Sequence, residues 1–316
     1  MAFLNSDIGF YLPVKMRTNT DISNLFPEWD SNKIYEKIGI SNRFICSENE
    51  TSLDLAIESF KNLKNKIGHI RFDLILYVSN SSISQAPGDG HKFISSFPEL
   101  SKAGCVDVNL GCSGYTYALG MANSLVDSNS ATNILIITTD AYSKFINPKD
   151  KGNMTLFGDG STATVVSQSP ISKYCWQISN FKFGSDGSGY DDLVINKKKN
   201  DFNRIGNLFM DGQKIFKFTS NTVIEFIKSQ SLKLNNHKVI FHQANAFMLN
   251  YMRKKLDIRS ENFIISFQNY GNTVSSSIPL ALNDNILKVK RDFLFLCGFG
   301  IGASYSSILL KPYNNK

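Results

Sequence analysis

The chain has 316 residues, enough for about two domains at ~150 residues each. Its hydrophobic fraction of 42% and charged fraction of 19% suit a chain that buries a core, and exclude a disordered, collagen-like or coiled-coil protein. The net charge is +7, but the lysines are scattered and only Lys197–Lys199 form a run, so an acidic small-molecule or protein partner is expected rather than nucleic acid.

At the N-terminus Asn5, Ser6 and Asp7 interrupt any apolar leader. Later apolar runs, such as Leu74–Val78 and Ile134–Ile137, fall far short of the ~18 residues of a membrane span. No membrane association and a cytoplasmic location are the expectation. Helices are predicted over Ser52–Lys66 and Ser113–Asp127, the second burying Tyr117, Leu119, Ala122, Leu125 and Val126. Strands are predicted at Phe72–Val78, Val106–Asn109, Asn133–Thr138 and Thr162–Ser167. Phe183–Asn207, rich in Gly, Asp, Lys and Asn, reads as a surface loop or flap.

The scheme then repeats. Helices fit Phe209–Leu234, Ala246–Leu256 and Thr273–Val289, and strands fit Lys238–Phe241, Asn262–Phe267, Arg291–Cys297 and Ala303–Leu310. Phe157-Gly158-Asp159-Gly160-Ser161 and Phe299-Gly300-Ile301-Gly302-Ala303 share the pattern F-G-x-G-small before a strand. An α/β chain of two duplicated halves, about 1–170 and 171–316, follows.

Three polar residues share one context. Cys112, in Gly111-Cys112-Ser113-Gly114, ends a strand and opens a helix, where orphan amides and the positive dipole end favour a thiolate. His242 follows strand Val239–Phe241, and Asn272 precedes the helix from Thr273. Each has a plain structural reading: an inert buried cysteine, a structural histidine, a helix cap. Together they suit carbon–carbon bond formation through a thioester, with His and Asn donating to an enolate oxygen. They equally suit a cysteine protease, with His as base and Asn orienting it. Spacing does not separate the two.

Five cysteines, Cys46, Cys105, Cys112, Cys175 and Cys297, form no CxxC pair, and the four histidines show no HExxH spacing. Neither a disulfide framework nor a metal site is expected. The glycine-rich segment Cys297–Gly302 precedes a strand, not a helix, and is therefore no dinucleotide fingerprint. It reads as a tight turn whose N–H groups face the cysteine pocket, or as a plain hairpin.

The motifs resemble, nearly end to end, the 3-oxoacyl-[acyl-carrier-protein] synthase III family of thiolase-fold condensing enzymes. The likeness runs through Tyr11-Leu12-Pro13, Arg17-Thr18-Asn19, Lys37-Ile38-Gly39-Ile40 to Arg43, and Glu50-Thr51-Ser52 with Asp54-Leu55-Ala56. It continues through Cys112-Ser113-Gly114, Phe157-Gly158-Asp159-Gly160, His242-Gln243-Ala244-Asn245, Gly271-Asn272-Thr273 and Gly298-Phe299-Gly300. The resemblance implies a five-layer αβαβα fold and a homodimer. It also implies Cys112 as acyl-accepting nucleophile, His242 and Asn272 as decarboxylation donors, and an oxyanion hole from the N–H groups of Cys112 and Ile301. Ile301 stands where the family commonly has Gly.

Acyl-CoA and malonyl-acyl-carrier protein would be the substrates, with no cofactor. In the coenzyme A and carrier groove, Lys33 and Lys37 occupy places of a family Trp and Arg, and Lys151 that of a second Arg. Phe247, two residues past Asn245 of the His-Gln-Ala-Asn motif, replaces a basic docking residue. Ala86, before Pro87, aligns with the aromatic floor of the acyl pocket. The other readings are a condensing enzyme of a specialised acyl pathway, an acyltransferase that loads Cys112 without decarboxylation, and a silent partner subunit.

Overall fold

The computed structural model describes residues 1–84, 86–199 and 205–313. In chain order the strands are β1 Phe3–Asn5, β2 Gly9–Tyr11, β3 Met16–Thr18, β4 Asn42–Phe44, β5 Leu74–Val78, β6 Gly104–Val108 and β7 Asn133–Asp140. They continue with β8 Gly160–Ser167, β9 Cys175–Ser185, β10 Leu193–Lys199, β11 Ile205–Met210, β12 Lys238–Phe241, β13 Leu294–Gly300 and β14 Ser304–Tyr313. The helices are α1 Asn19–Leu25, α2 Ser31–Ile38, α3 Ser52–Ile67, α4 Asp89–Ser95, α5 Gly114–Asp127 and α6 Lys151–Leu156. They end with α7 Gly212–Phe218, α8 Ile224–Ser229, α9 Ala246–Lys255 and α10 Ser277–Val289.

One long ladder runs β12-β13-β14-β9-β1-β8-β7-β5-β6, with β2 added against β8. Side chains alternate across a strand, so the interior strands of this ladder face two hydrophobic layers. Leu76, Val78, Ile134, Ile136, Ile240, Leu294 and Leu296 point into a central core with Tyr115, Leu119 and Ala122 of α5 and Ile278 and Leu282 of α10. Ile75, Tyr77, Leu135 and Ile137 point the other way, onto Leu53, Ala56, Phe60 and Leu63 of α3. Val239, Phe241, Phe295 and Cys297 face Ile224 and Ile227 of α8 and Met248, Leu249 and Met252 of α9. The order is therefore helix, sheet, buried helix pair, sheet, helix, the expected αβαβα stack.

Helix α3 starts on a capping box in which Thr51 and Asp54 satisfy each other's backbone donors. Helix α5 is locked to β14 by hydroxyl pairs, Ser113 Oγ to Ser304 Oγ at 2.7 Å and Thr116 Oγ1 to Ser306 Oγ at 2.5 Å. Its buried aromatic is Tyr115. Tyr117, expected inside, is half-buried and donates its hydroxyl to Gly184 O at 3.2 Å.

Three predicted elements differ. Asn262–Phe267 is not a strand: only Phe263 bridges to Val239, because the Gln243 side chain takes the neighbouring strand's place. Its Nε2 donates to Ile264 O at 3.3 Å and its Oε1 accepts from Ser266 N at 2.8 Å. The Phe209–Leu234 helix is shorter, from Gly212 to Ser229, with a π turn at Thr219–Val223. The expected loop Phe183–Asn207 begins with the end of β9 and contains most of the β10–β11 hairpin. The backbone of Lys197–Lys199 lies in β10, and the expectation for these side chains falls outside the described residues. Among the described residues no helix is long and apolar enough to cross a membrane.

Candidate active site

Cys112 sits where the sequence places it, past the end of β6 and before α5, but inside a 3-10 turn, Gly111–Ser113, that precedes the helix. Gly111 takes φ +48°, where any other residue is strained, and a Cβ there would lie 2.0 Å from Asn80 Oδ1 and 2.9 Å from Ile301 Cγ2. From β13, Gly300 presses on the cysteine: a Cβ there would stand 2.7 Å from Cys112 Cβ and 3.1 Å from Sγ.

The thiol is buried, and burial pushes its pKa up, helped by the charge of Asp140. The backbone amides of Cys112 and Ile301 pull the other way, but burial dominates. This corrects the expectation of a thiolate favoured by the helix end: two amides do not offset removal from water. Alkylation of Cys112 by iodoacetamide is accordingly expected to be slow at pH 7 and to rise about tenfold per pH unit through pH 9. A rate already on a plateau at pH 7, read by peptide mass spectrometry, would contradict the raised pKa.

His242 follows β12, its N–H bonded to Cys297 O at 2.8 Å. Burial pushes the imidazole down to about 3, so it is neutral at working pH. Ser277 Oγ accepts the N–H of Gln243 at 3.3 Å and lies 2.8 Å from His242 Nδ1. With the hydroxyl donating to Nδ1, the hydrogen resides on Nε2. Nothing in the sequence reading singled out Ser277, which the first turn of α10 brings beneath the ring.

Asn272 is held by the Phe157-Gly158 segment: its N–H donates to Leu156 O at 2.8 Å and its carbonyl accepts from Gly158 N at 3.0 Å. Its Oδ1 accepts from Val274 N at 2.9 Å, which turns Nδ2 toward His242 Nε2, 3.4 Å away. Val274 stands at φ +54°, strained for a β-branched residue. Val274 and Ile301 join Cys112 in one apolar cluster, with Tyr142 and Phe157. Successive residues of β13 complete the link. Phe299 lies edge-on to the His242 ring at 5.6 Å, and Gly300 touches Cys112.

Asp140, at the end of β7, is a second residue the sequence reading missed, although it obeys the same rule of a polar group at a strand end. It is buried and pushed up to about 7 by desolvation. It accepts from Asn80 N at 2.9 Å, Ser275 N at 3.2 Å and Ser81 Oγ at 3.3 Å, tying the Asn272 turn to the loop after β5.

Beside the elbow opens a cleft of about 1050 Å³, lined among others by Leu110, Ile301, Phe145, Leu193, Ser81 and Ile83. Ala86, expected at a pocket floor, is exposed and does not line it. The Asp89 carboxylate accepts from Ile83 N and Ser84 N at 2.7 and 3.1 Å, and these residues, not Ala86, meet the cleft.

The groove residues lie apart from it. Lys33 and Lys37 are exposed on α2, one turn apart. Lys151 pairs with Glu28 and stands 5.2 Å above the Phe26 ring. Asn245 caps α9, accepting from Met248 N at 2.9 Å. Phe247 is 62% exposed and packs on Phe216, ring centroids 5.4 Å apart.

The stacked sheet, with a cysteine elbow and a neutral histidine beside an asparagine amide, is that of a thiolase-fold condensing enzyme. Residues 106–187 match the family described as 3-Oxoacyl-[acyl-carrier-protein (ACP)] synthase III, and residues 232–312 match its C-terminal model. The chain is 33% identical to the beta-ketoacyl-[acyl-carrier-protein] synthase III of Clostridium perfringens, over 96% of this chain and 97% of the relative. A solved 3-oxoacyl-(acyl-carrier-protein) synthase III superposes with TM-score 0.88 at 31% identity, covering 98% of this chain and all of that one. The synthase III of Aquifex aeolicus superposes with TM-score 0.87 at 27% identity, covering 98% of this chain and 100% of the other. The chain belongs to the 3-oxoacyl-[acyl-carrier-protein] synthase III family.

Proposed function

We propose that the protein condenses an acyl-CoA primer with malonyl-acyl-carrier protein through an acyl thioester on Cys112. The observation that carries this is the pair of donor sets: the amides of Cys112 and Ile301, both of which lower the thiol pKa, and His242 Nε2–H beside Asn272 Nδ2. Two oxyanions must form in this chemistry, and the site offers two donor pairs. In the first step Cys112 Sγ bonds the acyl carbon, the C–S bond to coenzyme A breaks, and the thiol proton ends on the departing coenzyme A. The Cys112 and Ile301 amides hold the tetrahedral oxygen. In the second step the malonyl carboxylate leaves as carbon dioxide, and its electron pair forms an enolate whose oxygen takes hydrogen bonds from His242 and Asn272. The enolate carbon then attacks the acyl carbon and Cys112 leaves as thiolate. No metal or cofactor enters this sequence.

The histidine suits a donor rather than a base. A cysteine-protease base must accept a proton, and an imidazole pushed down to about 3 resists that. This favours the condensing reading over the protease one.

Lys33, Lys37 and Lys151 supply positive charge for the phosphates of coenzyme A. Phe247 in the first turn of α9, with Phe216 packed on it, and Lys254 and Lys255 in the last turn are the proposed contact for the acidic carrier protein. The β6 edge of the ladder, with Val106 41% exposed, is the proposed seam of a homodimer. The chain is read as two duplicated halves, 1–170 and 171–316.

Incubation with acyl-CoA and malonyl-carrier protein tests the reading. Release of carbon dioxide with a 3-oxoacyl-carrier product is expected. Acyl transfer to Cys112 without carbon dioxide would leave only an acyltransferase.

A further inference from the structure

Asp140, at the end of β7, is fully buried and belongs to neither donor pair. One carboxylate oxygen accepts from Asn80 N at 2.9 Å and Ser81 Oγ at 3.3 Å, the other from Ser275 N at 3.2 Å and from Ser275 Oγ. Each oxygen thus takes a backbone N–H. A carboxylate accepts on both sides, whereas an amide of the same shape would turn its NH2 group toward one of them.

The second oxygen grips the turn that carries the enolate donors. Ser275 directly follows Val274, which stands at φ +54° with its N–H on Asn272 Oδ1 at 2.9 Å. On the other flank the Asn272 backbone is tied to Leu156 and Gly158. Strain of this kind persists where the surroundings fix both flanks. Ser276 Oγ adds a contact at 2.9 Å to Thr138, also on β7, and Ser277 Oγ meets His242 Nδ1 at 2.8 Å. The segment 274–277 therefore orients both donors, and Asp140 anchors it next to the strained residue.

We infer, resting on the condensing reading above, that Asp140 is a positioning residue for decarboxylation: its grip on Ser275 holds the Val274 turn that aims the Asn272 amide at the enolate oxygen. It acts through Asn272 and makes no bond to substrate. A displaced donor is costly, since a misplacement of about 1 Å can lose ~10² in rate.

The same carboxylate works against the other half-reaction. Its charge adds to burial in raising the pKa of the Cys112 thiol. Tyr142 and Tyr77 also sense that charge, and both are neutral, their pKa raised first by burial. Loss of the charge therefore favours the Cys112 thiolate, while loss of the grip weakens support of the enolate. Opposite signs on two steps separate this role from a general loss of packing, which slows both.

The test compares the full wild-type chain with Asp140→Asn, which keeps the side-chain volume. Ser81 Oγ already accepts from Ala141 N at 2.9 Å, whereas the Ser275 hydroxyl can turn round and accept. The new NH2 group therefore faces Ser275, whose N–H loses its acceptor. Carbon dioxide release from malonyl-carrier protein is expected to fall about tenfold or more. Acyl loading of Cys112 is expected to be retained. Iodoacetamide labelling of Cys112 at pH 8, above the raised carboxylate pKa of about 7, is expected to quicken. Ser275→Ala, which removes one of the two contacts and keeps the charge, is expected to lower carbon dioxide release by a smaller factor with loading unchanged. Unchanged release in Asp140→Asn, or parallel loss of release and loading, would overturn the role. If Asp140→Asn does not fold, unchanged release in Ser275→Ala overturns it. A wild-type chain that loads Cys112 but releases no carbon dioxide would overturn the condensing reading itself, and the role of Asp140 with it.

Discussion

Replacing His242 or Asn272 with alanine is expected to cut decarboxylation of malonyl-carrier protein by ~10²–10³ while Cys112 still takes up the acyl group. The reason lies in the division of donors. His242 Nε2 and Asn272 Nδ2 sit side by side, oriented by Ser277 and by the Val274 N–H, and neither belongs to the pair at the sulfur. An enolate oxygen that loses one donor in a buried site has no water to replace it. Labelled carbon dioxide release and the mass of acylated Cys112 measure the two steps separately. Near-normal decarboxylation in both variants would remove the pair from that role. Equal loss of both steps would mean that the residues hold the pocket together rather than serve the enolate.

Replacing Cys112 with alanine is expected to abolish condensation, a loss of about 10⁶ by comparison with other removed nucleophiles. Decarboxylation is expected to continue, because the enolate donors come from elements after β12 and keep their partners. The variant then becomes a slow malonyl decarboxylase. Formation of 3-oxoacyl product above background would exclude Cys112 as the acyl carrier. The other four thiols offer no substitute: Cys46, Cys175 and Cys297 are buried, and Cys105 belongs to the β6 edge.

Much of the site was legible because one rule places it. A polar residue at the carboxyl end of a strand, followed by a turn, marks Cys112 and His242, and the same rule would have found Asp140 had β7 been extended by two residues. The strand Lys238–Phe241 has the predicted bounds because the apolar run Val239–Phe241 stands between polar Lys238 and His242. Asn262–Phe267 has equally good strand composition but pairs only at Phe263, since a glutamine side chain takes the next backbone groups. Composition does not reveal that substitution. The thiol pKa was misjudged for a related reason: sequence shows the helix start but not the depth of burial. Ala86 was placed by the resemblance, and in the single chain it lies exposed, outside the lining of the cleft.

The joint between the two halves of the ladder is very short. Phe3, Leu4 and Asn5 pair with Gln177, Trp176 and Cys175 on one side, and Phe3 and Leu4 with Ser167 and Val166 on the other. During synthesis β1 therefore has no partner until β8, which ends at Ser167, has been made. Closing so long a loop costs entropy that only grows slowly with length, but the closure must wait for its far end. Strand β9 in turn waits for β14, which occupies residues 304–313. During synthesis both flanks of the joint stay open as unpaired edges, the kind of surface that recruits other chains. Assembly of this enzyme is in that sense a race between completion of β14 and capture of its own exposed strands.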